Sequence, residues 1–339
     1  MSFSVTIDSS GHQFEVEDNE TILDAAIRQH VGLPYGCRNG RCGACAATLL
    51  EGEVKYYGSP PALEEAGEGK CLPCQGFAAS DLKIEAREAT SAADLEVKML
   101  PCRVHAVEHL SHDVVRLYLK LPETQRLQFL AGQYLDFMLA DGRRRAFSIA
   151  NAPHDDAFIE LHIRHVDGGE FTDWVFNQMK ERTILRIQAP LGTFVLDEDS
   201  PRPMIFMGGG TGLAPLKGQI EQAFESGIER PMHLYWGVRS KRDLYLPDLP
   251  VKWAREHANF TFVPVLSEPD EDWQGRTGWV HDAVVEDFPE LSGYDLYMAG
   301  PPPMVNAGRE AFRAAGMPDG QMHYDAFDYA EDTRDKAND

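Results

Sequence analysis

Three cysteines near the N-terminus form the strongest chemical signal in the chain. Cys37, Cys42 and Cys45 are separated by four residues and then by two. This spacing is typical of three ligands of a [2Fe–2S] cluster, whose fourth cysteine is distant in sequence. Glycines stand between them, so backbone N–H groups can approach the sulfur atoms. A disulfide knot and a zinc site are the alternatives, but structural zinc sites typically show paired Cys-x-x-Cys elements.

The fourth ligand has two candidates, Cys71 and Cys74, in the segment KCLPCQGFAASDL. Spacing alone does not separate them. The segment resembles the ferredoxin module of bacterial flavin reductases, in which a short run and then a strand, here residues 81–84, follow the last ligand. This resemblance favours Cys74. Cys102 lies outside the pattern and is interpreted as a small buried hydrophobic residue.

Length and charge limit the remaining classes of function. The 339 residues are enough for two or three domains, and six cysteines are too few for a disulfide scaffold. A net charge of −22 argues against a nucleic-acid partner. We interpret the acidity as a solvated surface, with a docking face for a basic redox partner as the alternative. No secretory signal or membrane-spanning run is visible, so we expect a soluble, cytoplasmic protein.

The first 90 residues predict a small mixed sheet with one helix and the cysteine loop. The helix is expected from Thr21 to Gln29, with Asp18 or Asn19 as its cap. Period-two alternation and flanking turns predict strands at residues 3–7, 13–16, 46–50 and 82–86. This is a β-grasp-like ferredoxin module over residues 1–90, and the polar residues 91–99 are interpreted as a linker.

Residues 100–200 are rich in short strands, which predicts a small antiparallel barrel. Strands are expected at residues 102–110, 113–119, 132–139, 144–150, 158–165 and 183–189, with a helix at 172–179. The barrel carries the motif Arg145-Ala-Phe-Ser and later Gly168-Gly-Glu-Phe-Thr. An arginine can bind phosphate, an aromatic ring can lie on a flat cofactor, and glycines at a helix start suit a pyrophosphate. Taken singly, Phe147 is also explained by core packing, and the glycine pair is better explained by a hairpin turn.

Together these motifs resemble the Arg-x-(Tyr/Phe)-Ser and Gly-Gly-x-x-(Ser/Thr) pattern of the ferredoxin–NADP reductase superfamily. The resemblance implies that Arg145 contacts the flavin phosphate, Phe147 lies on the isoalloxazine and Ser148 faces the ring near N5. It favours FAD over FMN because the glycines on the pyrophosphate side are present. The other barrel residues that it assigns to cofactor binding are His162, Ile163, Arg164, Gly168, Gly169 and Thr172.

Residues 201–330 alternate between strand and helix, which predicts a parallel sheet with helices on both faces. Strands are expected at residues 203–207, 232–236, 261–266 and 294–299, and helices at 216–225 and 304–315. Ligands bind at the carboxyl ends of the strands in such sheets. The glycine run 208–212 lies at one such end, but it is not the G-x-G-x-x-G fingerprint. Alone it is also explained as an ordinary helix-entry turn.

This region resembles the pyridine-nucleotide domain of the same superfamily. The resemblance places Thr211 near the flavin and nicotinamide, and Arg239 and Asp243 near the adenosine ribose. Phe327 would cover the flavin, or would anchor the chain end to the surface. Basic residues 241–242 leave NADPH as an alternative to NADH, and the charged residues 331–339 are predicted to be disordered. The residues assigned to nucleotide binding are Gly209, Gly210, Thr211, Gly212, Arg239, Asp243, Gly300, Pro301 and Pro302, and those assigned to catalysis are Ser148, Thr211 and Phe327.

The predicted fold is a multidomain α+β and α/β chain: a β-grasp ferredoxin module, an antiparallel flavin-binding β-barrel and a parallel α/β pyridine-nucleotide-binding domain. This order is similar to reductase components of bacterial ring-hydroxylating dioxygenases and multicomponent monooxygenases, and to CDP-6-deoxyglucoseen reductases. It implies that electrons from NADH pass through FAD to the [2Fe–2S] cluster and then singly to a partner oxygenase. The alternatives are a reductase for a deoxysugar dehydrase, a stand-alone diaphorase for quinones or ferric complexes, and a non-catalytic redox sensor.

Overall fold

A computed structural model describes residues 2–29, 31–35, 38–86, 95–122, 125 and 127–327. The chain divides into two compact units, one of Met1–Glu96 with Gly192–Phe194 and one of Val97–Leu191 with Val195–Asp339. Among the described helices, none combines the length and the apolar character that a bilayer crossing requires. Residues 91–94 of the predicted linker and the whole predicted tail lie outside the described residues.

The first unit is a mixed five-stranded sheet with order β2-β1-β7-β3-β5 and a separate two-stranded β4–β6 pair. Strands β1 and β7 run parallel, and the other pairs of the sheet are antiparallel. This is the predicted β-grasp arrangement. Its elements are β1 (Ser2–Ile7), β2 (Gln13–Glu17), α1 (Ile22–Arg28), β3 (Ala47–Glu51), β4 (Val54–Lys55), α2 (Pro61–Ala66), β5 (Lys70–Cys71), β6 (Phe77–Ala78) and β7 (Leu82–Glu85).

The second unit begins with a six-stranded antiparallel sheet of order β11-β10-β13-β8-β9-β12. A bridge between Ile149 and Leu161 joins the two ends of this order, which brings the sheet close to a closed barrel. Alternate apolar side chains fill its interior. Its elements are β8 (Lys98–His109), β9 (Val114–Lys120), β10 (Tyr134–Met138), β11 (Arg144–Ser148), β12 (Ile159–Arg164), α3 (Glu170–Asn177) and β13 (Ile184–Leu191).

The same unit continues into a parallel six-stranded sheet of order β17-β16-β15-β14-β18-β19. The order reverses between β14 and β18, so the carboxyl ends of these two strands form the topological switch point at which ligands bind. Its elements are β14 (Met204–Gly209), α4 (Leu213–Glu225), β15 (Met232–Val238), α5 (Asp248–Glu256), β16 (Phe260–Leu266), β17 (Arg276–Thr277), α6 (Val280–Asp287), β18 (Asp295–Gly300), α7 (Pro302–Ala314) and β19 (Met322–Ala326).

Several predicted boundaries differ from the structure for local reasons. Helix α1 is capped by Thr21, whose hydroxyl accepts the Asp24 N–H at 3.0 Å, whereas Asn19 occupies a left-handed turn. The expected cap at Asp18 or Asn19 is therefore wrong. Helix α4 begins three residues earlier than predicted because a proline, here Pro215, is tolerated in the first turn. Strand β8 begins at Lys98, inside the predicted linker.

Candidate functional site

The cysteine loop leads into strand β3, and a turn before β6 brings a second cysteine against it. The Sγ atoms of Cys45 and Cys74 lie 3.2 Å apart, and both residues are buried together with Cys42. The Ala44 N–H points at Cys42 Sγ, 3.4 Å away. Cys37, the remaining expected ligand, lies outside the described residues.

Cys71, the other candidate for the fourth ligand, lies in β5 opposite Ala47. Burial raises the pKa of its thiol to about 11, and the pKa of the Cys45 thiol is raised as well, by its contact with Cys74 and by burial. The turn of Cys74 is instead tied to the cysteine loop, because Gln75 Nε2 donates to the carbonyl groups of Arg38 and Cys74 at 2.9 and 3.1 Å. Buried thiols with backbone N–H groups beside them are a donor set that suits an iron–sulfur cluster.

The barrel presents the predicted flavin motif on β11. Ser148 is buried at the end of the strand, and Phe147 is half-buried against Phe137 and Phe171, with ring centroids 5.8 Å from each. Arg145 is partly exposed and donates from Nη1 to the Arg144 carbonyl at 2.8 Å. An accessible aromatic ring between an arginine and a serine is a surface on which a flavin ring can lie.

The two glycines before α3 form a tight turn at the start of that helix. Gly168 has a φ of 77°, and Gly169 is the N-cap residue. A Cβ atom on Gly169 would lie 2.6 Å from Thr172 Oγ1, which accepts the Val166 N–H at 3.1 Å. The hydroxyl of Thr172 therefore closes the turn that presents the helix N-terminus, a position that favours an anion.

The glycine run and the loop after β18 interlock at the switch point. A Cβ atom on Gly212 would lie 1.9 Å from the Ala299 carbonyl oxygen, and one on Gly209 would lie 2.5 Å from Met304 Sδ. Gly300 has a φ of 145°, and a Cβ atom on it would lie 2.9 Å from the Gly209 carbonyl oxygen. These glycines are required for close approach of the two loops, which leaves backbone N–H groups at the edge where a dinucleotide binds.

Other predicted nucleotide residues lie at the same sheet edge. Phe327 directly follows β19, and its N–H donates to the Gly300 carbonyl at 2.8 Å. Arg239 is exposed after β15. Asp243 is buried and accepts the Ser240 N–H and hydroxyl at 2.8 and 2.9 Å, so its carboxylate shapes the loop after β15.

Strand β12 has one apolar face in the barrel core and one polar face against the parallel-sheet half. On the polar face, Glu160 lies 3.1 Å from Lys217 Nζ on α4, and the Nδ1 atom of His162 lies 3.0 Å from Tyr245 Oη. A Cβ atom on Gly210 would lie 2.7 Å from the Arg164 guanidinium. The His162 ring is fully buried and both its nitrogens have partners, so its side chain is committed to this packing.

Three family models match successive parts of the chain. They are the 2Fe-2S iron-sulfur cluster binding domain over residues 5–79, the oxidoreductase FAD-binding domain over residues 101–196 and the oxidoreductase NAD-binding domain over residues 206–310. A curated CDP-6-deoxy-L-threo-D-glycero-4-hexulose-3-dehydrase reductase from Yersinia pestis is 38% identical over 328 residues, which is 96% of this chain and 99% of that protein. The chain belongs to the [2Fe–2S] flavoprotein reductase family.

Other members of this reductase family are equally similar along nearly the whole chain. The phenol 2-monooxygenase reductase component DmpP of Pseudomonas sp. CF600 is 38% identical, covering 91% of this chain and 89% of its own. The crystal structure of the Amycolatopsis cytochrome P450 reductase GcoB matches with a TM-score of 0.78 and 36% identity, covering 96% and 98% of the two chains. The predicted three-part fold, the NAD(P)H-dependent oxidoreductase class and the cofactors FAD and [2Fe–2S] are confirmed.

Sequence reasoning did not find the buried contacts that hold this reductase's two nucleotide-binding halves together. Lys217 and Tyr245 make these contacts, with Ala150 and Glu160 and with His162 respectively, and neither was assigned a role from the sequence. The available signal was the run Glu160-Leu-His-Ile-Arg, in which polar residues occupy every second position of an otherwise apolar strand. Such a face must be covered by polar partners.

Proposed function

We propose that this chain is the NADH-dependent reductase component of a bacterial oxygenase, with Cys37, Cys42, Cys45 and Cys74 holding the cluster. The observation that carries the ligand assignment is the 3.2 Å approach of the Cys45 and Cys74 sulfurs. That distance allows both thiolates to bind one iron atom, with Cys42 buried nearby. Since Cys71 occupies a sheet position, it is left as a structural thiol.

The bound groups supply the redox chemistry: NADH gives an electron pair, flavin accepts the pair and releases electrons singly, and the cluster carries one at a time. The protein residues bind and orient these groups. Phe147 and Ser148 support the flavin ring, and the turn of Gly168, Gly169 and Thr172 faces the pyrophosphate. The nicotinamide would be held by residues Gly209–Gly212, Gly300–Pro302 and Phe327. Arg145 carries the charge that phosphate requires.

NADH is the proposed donor because this order of domains is typical of NADH-linked reductases and an exposed acid lies beside Arg239 at the carboxyl edge of the sheet. Glu268 follows β16 at the carboxyl edge of the sheet, and its N–H donates to the Arg239 carbonyl at 2.8 Å. An acidic side chain at such an edge binds a ribose hydroxyl and repels a phosphate. The Ser240 hydroxyl is bound to Asp243, which removes one phosphate donor from the loop.

A partner oxygenase is the proposed acceptor, since reductase components of a phenol 2-monooxygenase and of terephthalate 1,2-dioxygenases are among the relatives. The second candidate is a deoxysugar dehydrase, favoured by the 38% identity to the Yersinia pestis reductase. Electron delivery to each purified acceptor distinguishes them. We also propose the cytoplasm as the compartment, because reduced thiols persist there for cluster loading.

The test of the electron route compares Cys74→Ser with Cys71→Ser in the full-length protein. Cys74→Ser should lose the electron paramagnetic resonance signal of the reduced cluster, and cytochrome c reduction by NADH should fall at least about tenfold. NADH should still bleach the flavin. Cys71→Ser should retain both the signal and the activity. Full cytochrome c reduction by a Cys74→Ser protein without a cluster would show that electrons leave by another route.

A further inference from the structure

A network of buried polar side chains extends from helix α4 to the loop after β15. Lys217 Nζ lies 2.9 Å from Glu221 and 3.1 Å from Glu160, and it donates to the Ala150 carbonyl at 3.3 Å. Glu160 accepts from His162 Nε2 at 2.9 Å. This network therefore connects three elements: the segment after the flavin motif, strand β12 and helix α4.

The protonation state of His162 follows from its partners. Burial lowers the pKa of the imidazole, which favours the neutral ring. A carboxylate only accepts hydrogen bonds, so the Nε2 atom that faces Glu160 carries the proton. Nδ1 is then an acceptor, and the Tyr245 hydroxyl donates to it at 3.0 Å. The donor and the acceptor of each hydrogen bond between Lys217 and Tyr245 in this network are thus determined.

Trp236 links Tyr245 to the glycine run, because it packs against the Tyr245 ring and binds a glycine carbonyl. The two rings meet edge to face, with centroids 5.1 Å apart, and both are buried. The indole N–H of Trp236 donates to the Gly210 carbonyl at 2.9 Å. Arg164 contacts the same glycine from β12 and forms an ion pair with Asp113 at 2.9 Å.

The glycine run depends on such outside contacts because it has almost no side chains of its own. Its turn, Gly210–Gly212, and the helix that follows both lack a side-chain cap. Gly210 adopts a φ of 54°, and its carbonyl also accepts the Leu213 N–H that begins α4. A displaced Gly210 carbonyl would shift both the loop and the helix start.

We propose that Trp236 and Tyr245 are positioning residues for the hydride donor, because together they hold the Gly210 carbonyl at a fixed place relative to strand β12. This inference rests on the proposed role of the glycine run in nicotinamide binding. Hydride transfer requires the reacting atoms at near-contact distance, and a displacement of about 1 Å can cost up to about a hundredfold in rate.

The test uses Trp236→Phe and Tyr245→Phe, with Tyr235→Phe as a matched control. Tyr235 is the neighbouring residue of β15 and faces the other side of the sheet, where its hydroxyl donates to Asp287 at 2.6 Å. The control therefore loses one tyrosine hydrogen bond in the same sheet without touching Gly210. Tyr245→Phe removes a single hydroxyl, so it remains informative if the buried Trp236→Phe fails to fold.

Two measurements are made on each FAD-loaded protein. Amide hydrogen exchange over residues 207–214, without nucleotide, should speed up in both variants and stay unchanged in Tyr235→Phe. Anaerobic flavin reduction at saturating NADH should slow by about tenfold in both variants, with dithionite reduction unaltered. Faster exchange without slower flavin reduction, or the reverse, overturns the proposal. So does a result in which both variants behave as the control does. A wild-type protein that NADH fails to reduce would refute the donor reaction and this inference with it, whatever the exchange data show.

Discussion

The buried cation Lys217 offers the sharpest test of the packing between the barrel and the parallel sheet. It lies within 3.1 Å of two carboxylates, Glu160 and Glu221, and its side chain is 7% exposed. Lys217→Met keeps the length and the apolar part of the side chain while removing the charge. One buried carboxyl group, Glu160, and one partly buried group, Glu221, then lose the cation that they share.

The expected cost follows from the pKa of Glu160. Burial opposes ionisation, yet the hydrogen bonds from His162 and Lys217 and the charge of Lys217 lower the pKa of Glu160 to about 2 from an ordinary 4.5. That difference corresponds to roughly 3 kcal/mol, which is shared between His162 and Lys217. Removing one partner of a buried ion pair costs about 3–5 kcal/mol. We therefore expect Lys217→Met to lower the free energy of unfolding by about 3 kcal/mol, or the melting temperature by about 6–12 °C.

The pH dependence identifies the cause. In the wild type the folded pKa of Glu160 is depressed, so its contribution is present above about pH 4.5 and is lost as the pH falls towards 2. Without Lys217, burial raises the folded pKa of both carboxyl groups. The deficit of the variant should be largest at neutral pH and should shrink as the pH falls through that raised value, because protonated carboxyl groups need no cation.

Lys252→Met is the matched control, since Lys252 also pairs with a glutamate four residues later, at 3.8 Å, but its side chain is 65% exposed. An exposed pair of this kind contributes about 0.3–0.5 kcal/mol. Unfolding in urea, followed by tryptophan fluorescence at equal FAD concentration, measures both variants. Equal losses for the two substitutions, or a Lys217→Met deficit that does not change with pH, would refute the reasoning.

Two further predictions concern the nucleotide edge. Glu268→Arg should change the ratio of kcat/KM for NADPH to that for NADH by about tenfold in favour of NADPH, because a cation replaces a charge that repels the 2′-phosphate. Glu271→Arg is the same change on an exposed residue of the same loop and should leave the ratio unaltered. Equal effects of the two substitutions would show that the change in ratio comes from net charge alone. Gly212→Ala should destabilise the protein by about 1–3 kcal/mol and weaken NADH binding, because its methyl group would overlap the Ala299 carbonyl. Gly293→Ala, in open space, should change the melting temperature little; similar losses for the two would show that the loops are not interlocked.

The sequence predicted the fold where local pattern and tertiary role agree. Apolar pattern and turn residues gave most of the longer strands of the three main sheets to within a few residues, because each has a buried face. The two-residue strands β4, β5, β6 and β17 were not predicted. Helix α5 was missed, since Pro250 suggests a helix breaker, although a proline in the first turn is tolerated. Strand β19 was missed as well, because His323 and the buried Asp325 interrupt its apolar pattern.

The candidate site was predictable only as far as motifs extend along the chain. Cysteine spacing and the two glycine motifs are local, and the resemblance assigned them together. The contact between Lys217 and Glu160 joins residues 57 positions apart, and that between His162 and Tyr245 joins residues 83 positions apart. No periodicity encodes such pairs, so only the folded chain shows which polar residues meet.

Strand β12 shows why the barrel and the parallel sheet cannot be understood separately. Successive side chains of a strand alternate between its faces, so Leu161 and Ile163 enter the barrel core while Glu160, His162 and Arg164 face the other way. In a barrel alone, those three side chains would be exposed to water. Nothing would then lower the pKa of the histidine or of the glutamate. The shifted pKa values of Glu160 and His162 arise only because α4 and the loop after β15 cover this face. The three polar side chains of this face therefore connect the barrel to the elements that position the glycine run.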